Sequence, residues 1–366
     1  MPETPLKPPP DRPDAANPHD RDEGVAPEDD PLALPARIAG SGALDRLVET
    51  ARSYARAALS ENTLKAYARD WAAFARWCRL RGADPLPPSS QVIGLYIADL
   101  AAPQGGKAPA LLVASIERRL SGLVWSYAQR GERLDRKDRH IASVLAGIRR
   151  KHARPPLQKE AILPEDLRDM LATLPHDLRG LRDRALLLVG FAGGLRRSEI
   201  VGLDLGRDDT PDSGGWVEIL PDGALITLRG KTGWREVEIA RGSSDATCPV
   251  HALSQWLHYA RIDFGPIFTA VSRNGLRATA DRLSDKHVAR LIKTCAREAG
   301  LRPDLPEAER LRLFSGHSLR AGLASSAEVD ERHVQKQLGH ASAEMTRRYQ
   351  RRRDRFRINL TKAAGL

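Results

Sequence analysis

With 366 residues the chain is long enough for two domains, and its formal charge of +11 favours a polyanionic partner, nucleic acid first and an anionic membrane second. Its three cysteines, Cys78, Cys248 and Cys295, are far apart and match no metal-binding spacing, which argues against disulfides and a zinc site and favours a reducing compartment. No apolar run approaches the roughly 20 residues of a membrane span, so we expect a soluble, cytoplasmic protein without membrane contact.

Residues 1–40 are predicted to form a disordered, acidic, proline-rich tail. They hold ten of the 25 prolines, and nine acidic residues against four basic ones. Such a segment buries too little apolar surface to offset the entropy lost on ordering, and it lacks the apolar core of a secretory signal. A solvated tail is favoured over a partner-binding or autoinhibitory one. Its net charge of −5 leaves residues 41–366 at +16, so the folded part is the more cationic.

Residues 41–153 are predicted to form a bundle of four or five helices. In the clearest helix an aromatic stripe repeats every three or four positions and should face the core; it comprises Leu64, Tyr67, Trp71, Phe74 and Trp77. Further helices are predicted over residues 91–100, 110–130 and 135–152. The second of these carries an apolar stripe of Leu112, Ile116, Leu120, Leu123 and Tyr127.

Two groups of basic residues in this bundle lie off the apolar stripes. The first group is Lys65, Arg69, Arg76 and Arg79, and the second is Arg149, Arg150, Lys151 and Arg154. Each group is explained either as a solvated face or as a set of contacts to a polyanion. On local pattern alone the solvated face is favoured.

Residues 154–162 are predicted to be a linker, because two adjacent prolines stop the preceding helix. Residues 163–366 should form a second domain with helices over 164–174, 181–191, 249–261 and 285–299, and from 317 onward. Between them, three short strands are predicted at 216–220, 224–229 and 235–240, joined by turn sequences rich in glycine. The predicted class is mostly α with a small antiparallel β-sheet.

Several residues of this second domain suit chemistry on an anion. Arg196 follows a Gly193-Gly194 turn at the predicted start of a helix, where a guanidinium and free backbone N–H groups favour an anion. Glu199, three residues on, shares the helix face and can orient an arginine, although for this segment alone a surface ion pair is favoured. Lys231 is predicted in a hairpin turn, where a lysine is usually just solvated.

The last part of the chain holds two histidines, an arginine and a tyrosine. His317 and Arg320 are spaced for one helix face. His340 follows Leu338-Gly339, which is typical of a turn into a helix. Tyr349 lies among five arginines, an unusual setting for a core residue.

Taken in order, these motifs resemble the tyrosine recombinase family, also called phage-type integrases. They are Gly-Gly-Leu-Arg196-Arg-Ser-Glu199, Gly-Lys231-Thr, Gly-His317-Ser-Leu-Arg320, Leu-Gly-His340 and Tyr349. The resemblance covers the chain from about residue 161, as an α+β catalytic domain. The 41–153 bundle resembles the family's SAM-like core-binding domain less specifically. Ala321 is a departure, because many members have a histidine there.

The resemblance implies a site-specific DNA recombinase that cleaves and rejoins strands through a 3′-phosphotyrosine at Tyr349, without metal, ATP or another cofactor. Arg196 and Arg320 would hold the non-bridging phosphate oxygens, and Glu199 would order the site.

Three further roles follow from the same resemblance. His317 would bind the phosphate and take the tyrosine proton. Lys231 would protonate the leaving 5′-oxygen, and His340 would donate to a non-bridging oxygen.

The implied partner is a double-stranded DNA recombination site, bound by a homo-tetramer with a dimer at each site. The two domains would grip one duplex, with the basic residues of the bundle on its phosphates. The task would be integration or excision of a mobile element in the cytoplasm, at the nucleoid. The need for an accessory DNA-bending or excision factor is left open, as is whether residues 357–366 pack on their own or a neighbouring protomer.

Three alternatives remain at this stage. One is a nickase resembling type IB topoisomerases, and another is a non-catalytic DNA-binding protein of the same fold. The third, a basic RNA-binding protein, is disfavoured because the chain lacks the aromatic pattern of an RNA-recognition motif.

Overall fold

In a computed structural model, the described residues are 45–103, 110–155, 159–230, 233–327, 330–339 and 344. The chain divides into two units, residues 1–155 and 156–366, so the division falls between Pro155 and Pro156. The tail predicted at 1–40 lies outside the described residues. No helix among those described is long and apolar enough to cross a membrane.

The described part of the first unit contains five helices. They are α1 (Asp45–Ala57), α2 (Glu61–Leu80), α3 (Ser90–Ala101), α4 (Val113–Gln129) and α5 (Arg139–His152). Ser60 begins α2 because its hydroxyl oxygen accepts a hydrogen bond from the Thr63 N–H at 3.3 Å. In the same way, the Asp138 carboxylate accepts from the His140 N–H at 2.8 Å at the start of α5.

The core of this unit is an aromatic cluster centred on α2. Phe74 is buried and packs edge-on against Tyr96 and Tyr127, with ring centroids 5.0 and 6.4 Å away. Trp71 and Trp77 are only partly buried, because they lie on the two edges of the buried stripe of α2. The apolar stripe predicted from Leu112 begins one residue too early, because α4 starts at Val113. Leu112 is 65 % exposed, since its extended backbone caps α4 rather than continuing it.

The second unit contains the remaining described helices. They are α6 (Pro164–Ala172), α7 (Leu178–Ala192), α8 (Arg197–Val201), α9 (Pro249–Ala260), α10 (Asp285–Glu298), α11 (Glu307–Leu313), α12 (Ser318–Ser326) and α13 (Glu331–Leu338). The apolar run predicted to be buried is α7, in which Ala185 to Gly190 are all buried. Helix α11 was not predicted. None of its residues is buried, so its sequence carries no clear apolar stripe.

Two small sheets complete this unit. The strands are β1 (Leu203–Asp204), β2 (Gly215–Leu220), β3 (Gly223–Gly230), β4 (Gly233–Ala240), β5 (Thr269–Val271) and β6 (Ala278–Arg282). The first sheet has the order β1-β2-β3-β4, antiparallel except for β1, which runs parallel to β2. The predicted class, mostly α with a small antiparallel sheet, is confirmed. The unpredicted strands β1 and β5, of two and three residues, are too short to show a periodicity of their own, and β6 has no bulky apolar residue.

Candidate active site

Arg196 lies at the junction between the turn that ends α7 and the start of α8. Gly194 makes this turn with a left-handed φ of +56°. A Cβ at Gly194 would lie 2.5 Å from Leu338 Cδ2, so glycine is also needed for the close approach of α13. The tertiary structure therefore places the predicted anion-binding turn directly against the last residue of α13.

Glu199 holds Arg196 in place by two bonds. Its Oε1 accepts from Arg196 Nη1 at 2.5 Å, and its Oε2 accepts from the Arg196 backbone N–H at 2.8 Å. Glu199 is 8 % exposed, whereas the Arg196 side chain is about one third exposed. The neighbouring Arg197 pairs instead with Asp285 of α10, at 3.0 Å. Arg196 is thus the arginine of this pair whose guanidinium is fixed beside the α8 N-terminus.

Arg320, on α12, is buried to 1 % exposure. Its Nη1 donates to the Gly194 carbonyl at 2.6 Å, and its Nη2 donates to the Leu338 carbonyl. A buried guanidinium needs such acceptors, because an unpaired buried charge is very costly. Arg320 therefore joins the turn before Arg196 to the end of α13, immediately ahead of His340.

His317 is at the N-terminus of α12, where its backbone N–H donates to the Ser315 hydroxyl at 3.2 Å. Burial around the ring and the positive charges of Arg320 and Arg196 lower the pKa of His317 below its ordinary value of 6.5. The neutral imidazole is therefore favoured near neutral pH, and a neutral imidazole can accept a proton.

The other three predicted catalytic residues lie outside the described residues. Lys231 belongs to the two-residue connection between Gly230 and Gly233, which are paired at the ends of β3 and β4. His340 follows directly on the described end of α13, and Tyr349 comes nine residues later. The structure thus brings together Arg196, Arg320 and His317, and the roles of all six stay predictions.

One residue of this site was missed by sequence reasoning. Arg235 on β4 donates from Nη2 to Glu199 Oε2 at 2.9 Å and from Nη1 to the Gln337 carbonyl at 2.6 Å. A signal for it exists in the sequence. Alternate residues of a strand share a face, so Arg235 lies on the same face of β4 as the buried Val237 and Ile239. It is therefore a charged residue on an apolar face.

Comparison with known proteins fits this geometry. The sequence model of the phage integrase family matches residues 160–355, which include all the catalytic candidates. The chain belongs to the phage integrase family. Among its relatives is the integrase/recombinase xerD homolog of Selenomonas ruminantium, 35 % identical over 311 residues that cover 82 % of this chain and 84 % of the relative. Tyrosine recombinase XerC of Xanthomonas campestris pv. campestris is 28 % identical over 80 % of this chain and 79 % of its own length.

Solved structures of the same fold include integrases and a Xer recombinase. A lambda integrase fragment, residues 75–356, as a dimer bound to a COC′ core site, matches with a TM-score of 0.52 and 17 % identity over 83 % of this chain and 93 % of that one. XerH bound to a palindromic difH substrate matches with a TM-score of 0.50 and 18 % identity over 77 % and 73 % of the two chains. At these identities the likeness concerns the fold, and it agrees with membership of the phage integrase family.

The basic residues predicted to contact DNA are on the surface of the first unit. Lys65, Arg69, Arg76 and Arg79 are all exposed, and their spacing places them on the face of α2 opposite Phe74. Arg149, Arg150, Lys151 and Arg154 are exposed at and just after the end of α5. Two of the eight charges are partly neutralised, since Lys65 pairs with Glu61 at 2.5 Å and Arg149 with Glu117 at 2.6 Å.

An NMR titration of His317 should give a pKa below 6.5. Replacing Arg196 by methionine should raise this pKa, because one of the positive charges that oppose protonation is removed. Since the folded-state pKa is the lower one, His317 lowers the stability of the fold as pH falls below about 6.5. An unchanged His317 pKa in Arg196→Met would contradict the described proximity of the two side chains.

Gly339→Ala should destabilise the protein more than Gly300→Ala. Both glycines end a helix with a left-handed φ, +58° and +67°, so both substitutions incur the same roughly 1–2 kcal/mol backbone penalty. A Cβ at 339 would also lie 2.8 Å from Arg235 Cδ, whereas nothing lies within 4 Å of one at 300. Urea denaturation should show a further loss of about 1 kcal/mol or more for Gly339→Ala. Equal losses would mean that Arg235 moves away freely.

Proposed function

We propose that this protein is a site-specific DNA recombinase that cleaves and rejoins strands through a 3′-phosphotyrosine at Tyr349, using its own side chains in place of a metal ion or ATP. The observation that carries the proposal is the bridge that the buried Arg320 guanidinium makes between the Gly194 and Leu338 carbonyls. It brings three separate motifs of the sequence, those of Arg196, His317-Arg320 and Leu338-Gly339, to one place. Positive charge concentrated in this way suits a phosphodiester in its transition state.

Cleavage begins when Tyr349 Oη attacks the scissile phosphorus, as the bond from phosphorus to the 5′-oxygen breaks. Neutral His317 takes the tyrosine proton, which is otherwise held with a pKa of about 10. Lys231 gives a proton to the leaving 5′-oxygen. Attack by the 5′-hydroxyl of a partner strand reverses these steps and restores the phosphodiester, so no external energy source enters the balance.

Arg196 and His340 stabilise the extra negative charge on the non-bridging oxygens. Arg196 is suited to this because its guanidinium is partly exposed and Glu199 fixes its direction. We assign Arg320 to the same phosphate, because its bonds to the Gly194 and Leu338 carbonyls fix the direction of its guanidinium.

The proposed partner is a double-stranded recombination site. Support comes from the relatives of the phage integrase family and from the neighbouring structures of recombinases bound to DNA, one of them a dimer on a core site. We propose a dimer at each site and a tetramer during exchange, acting to integrate or excise a mobile element at the nucleoid. Within this scheme residues 41–153 act as the core-binding domain and residues 163–366 as the catalytic domain, joined by the 154–162 linker.

The exposed basic face of α2 is the proposed phosphate contact of the first unit. Arg69, Arg76 and Arg79 repeat along one face for about three helical turns, and their side chains extend into solvent. Cations that replace condensed counterions on DNA make the affinity depend steeply on salt.

Tyr349→Phe should bind DNA but form no covalent adduct. A 5′-labelled pool of nicked duplexes with randomised sequence is incubated with the protein and separated under denaturing conditions. The unaltered protein should retain labelled DNA on a peptide that contains Tyr349. Tyr259→Phe is the matched control, because Tyr259 is an exposed tyrosine of α9 in the same unit, and this variant should form the adduct normally.

An adduct formed by Tyr349→Phe, or one mapped to another residue, would overturn the assignment. Plasmids that carry two copies of a captured sequence then distinguish a recombinase from a nickase, which share this cleavage chemistry. Exchange between the two copies indicates a recombinase, whereas relaxation without exchange indicates a nickase.

Arg76→Gln should weaken the salt dependence of duplex binding. If Arg76 neutralises one phosphate, the slope of log K against log salt should fall in magnitude by about 0.9. Arg241→Gln removes the same charge just after β4, where the side chain donates to the Pro221 carbonyl, and it should leave the slope unchanged. Equal slopes for the two variants, measured by fluorescence anisotropy on one random-sequence duplex, would exclude a phosphate contact at Arg76.

A further inference from the structure

Arg235 is a charged side chain on the buried face of a strand. Its side chain is 12 % exposed, and its neighbours of the same parity on β4, Val237 and Ile239, are core residues. Burial lowers the pKa of Arg235, and the nearby charge of Arg196 acts in the same direction, although Glu199 opposes both. An apolar residue here would avoid the cost of burying a charge, since replacing buried ion pairs by apolar groups is often neutral or stabilising. Core packing alone therefore does not explain an arginine at this position.

The two bonds of Arg235 join three elements of the second unit. One guanidinium nitrogen donates to Glu199 in α8, and the other donates to the Gln337 carbonyl in the last turn of α13. Its Nε is buried and has no hydrogen-bond partner among the described residues. The side chain also lies against Gly339, where a Cβ would be 3.0 Å from Nε. Arg235 therefore contacts the residue that immediately precedes His340.

Arg235 and Arg320 act on neighbouring carbonyls of one helix end. The last carbonyls of a helix have no partner within the helix and carry the negative end of its dipole. In α13 the Gln337 carbonyl accepts from Arg235 and the Leu338 carbonyl accepts from Arg320. At their other ends the two arginines contact Glu199 and the Gly194 carbonyl, one on each side of Arg196. Two guanidinium groups thus connect both sides of the Arg196 segment to the end of α13.

We propose that Arg235 is a positioning residue for DNA cleavage, which acts through Glu199 to fix Arg196 relative to the end of α13. This inference rests on the proposed function. Arg235 need not touch the phosphate for this role. It keeps the Glu199 carboxylate, which already holds Arg196, at a fixed distance from α13.

The test is a double-mutant cycle between Arg235→Met and Glu199→Gln. Single-turnover cleavage is measured at saturating concentrations of a duplex captured by the Tyr349 adduct assay. Arg235→Met should slow cleavage by ~10- to 100-fold in the unaltered protein, as expected for a misplaced catalytic group. In the Glu199→Gln background it should slow cleavage less than about threefold, because residues that act through each other are not additive. Duplex affinity should change little in both backgrounds.

Arg282→Met is the matched control. The Arg282 side chain is 15 % exposed and, like Arg235, it donates to one carboxylate and one backbone carbonyl. Its partners are the Asp204 carboxylate at 2.7 Å and the Val201 carbonyl at 2.9 Å. Its removal should cost comparable stability in urea denaturation. It should slow cleavage equally in the two backgrounds, by no more than about twofold, since these sites do not share partners.

Equal slowing by Arg235→Met in both backgrounds, or cleavage at the unaltered rate, would overturn the inference while leaving the proposed function intact. If Arg235→Met does not fold, Arg235→Lys takes its place in the cycle, because a lysine keeps the charge but cannot bridge two acceptors as a guanidinium does. If the unaltered protein forms no adduct at Tyr349, the proposed function fails and this inference fails with it.

Discussion

The burial of the Arg320 guanidinium is the constraint on which the rest of the site depends. A charge at 1 % exposure must find acceptors, and here the acceptors are the Gly194 and Leu338 carbonyls. They belong to the turn after α7 and to the end of α13, which are distant in the sequence. The absence of a side chain at Gly194 lets these two segments meet, because a Cβ there would overlap Leu338.

Around that constraint the second unit concentrates positive charge on a single carboxylate. Glu199 accepts from both Arg196 and Arg235. Burial and the nearby charge of Arg196 lower the pKa of Arg235. Burial, together with the positive charges of Arg320 and Arg196, lowers the pKa of His317. An incoming phosphate would relieve this repulsion. In the proposed mechanism, fixed arginines therefore take the part that metal ions take in other phosphoryl-transfer enzymes.

Arg235 and Arg320 differ in burial from the arginines of α2, and this difference separates two proposed contributions to DNA chemistry. Those of α2 are exposed, so they suit contacts that depend on salt and carry little directional information. Arg235 and Arg320 are buried and held by acceptors in fixed geometry. Loss of an exposed arginine should change affinity, whereas loss of a buried one should change the rate of cleavage.

The sequence by itself determined the features that depend on near neighbours in the chain. Periodicity predicted α2 and α4, and a continuous apolar run predicted the buried helix α7. The spacing of Arg196 and Glu199 predicted an ion pair, which the two residues form at the start of α8. Only the tertiary structure decided which distant residues complete the site. Arg235 meets a carbonyl 102 residues further on, and Arg320 meets one 126 residues earlier. No local pattern encodes such distances, because they arise when β4, α12 and α13 pack together around buried charges that need acceptors.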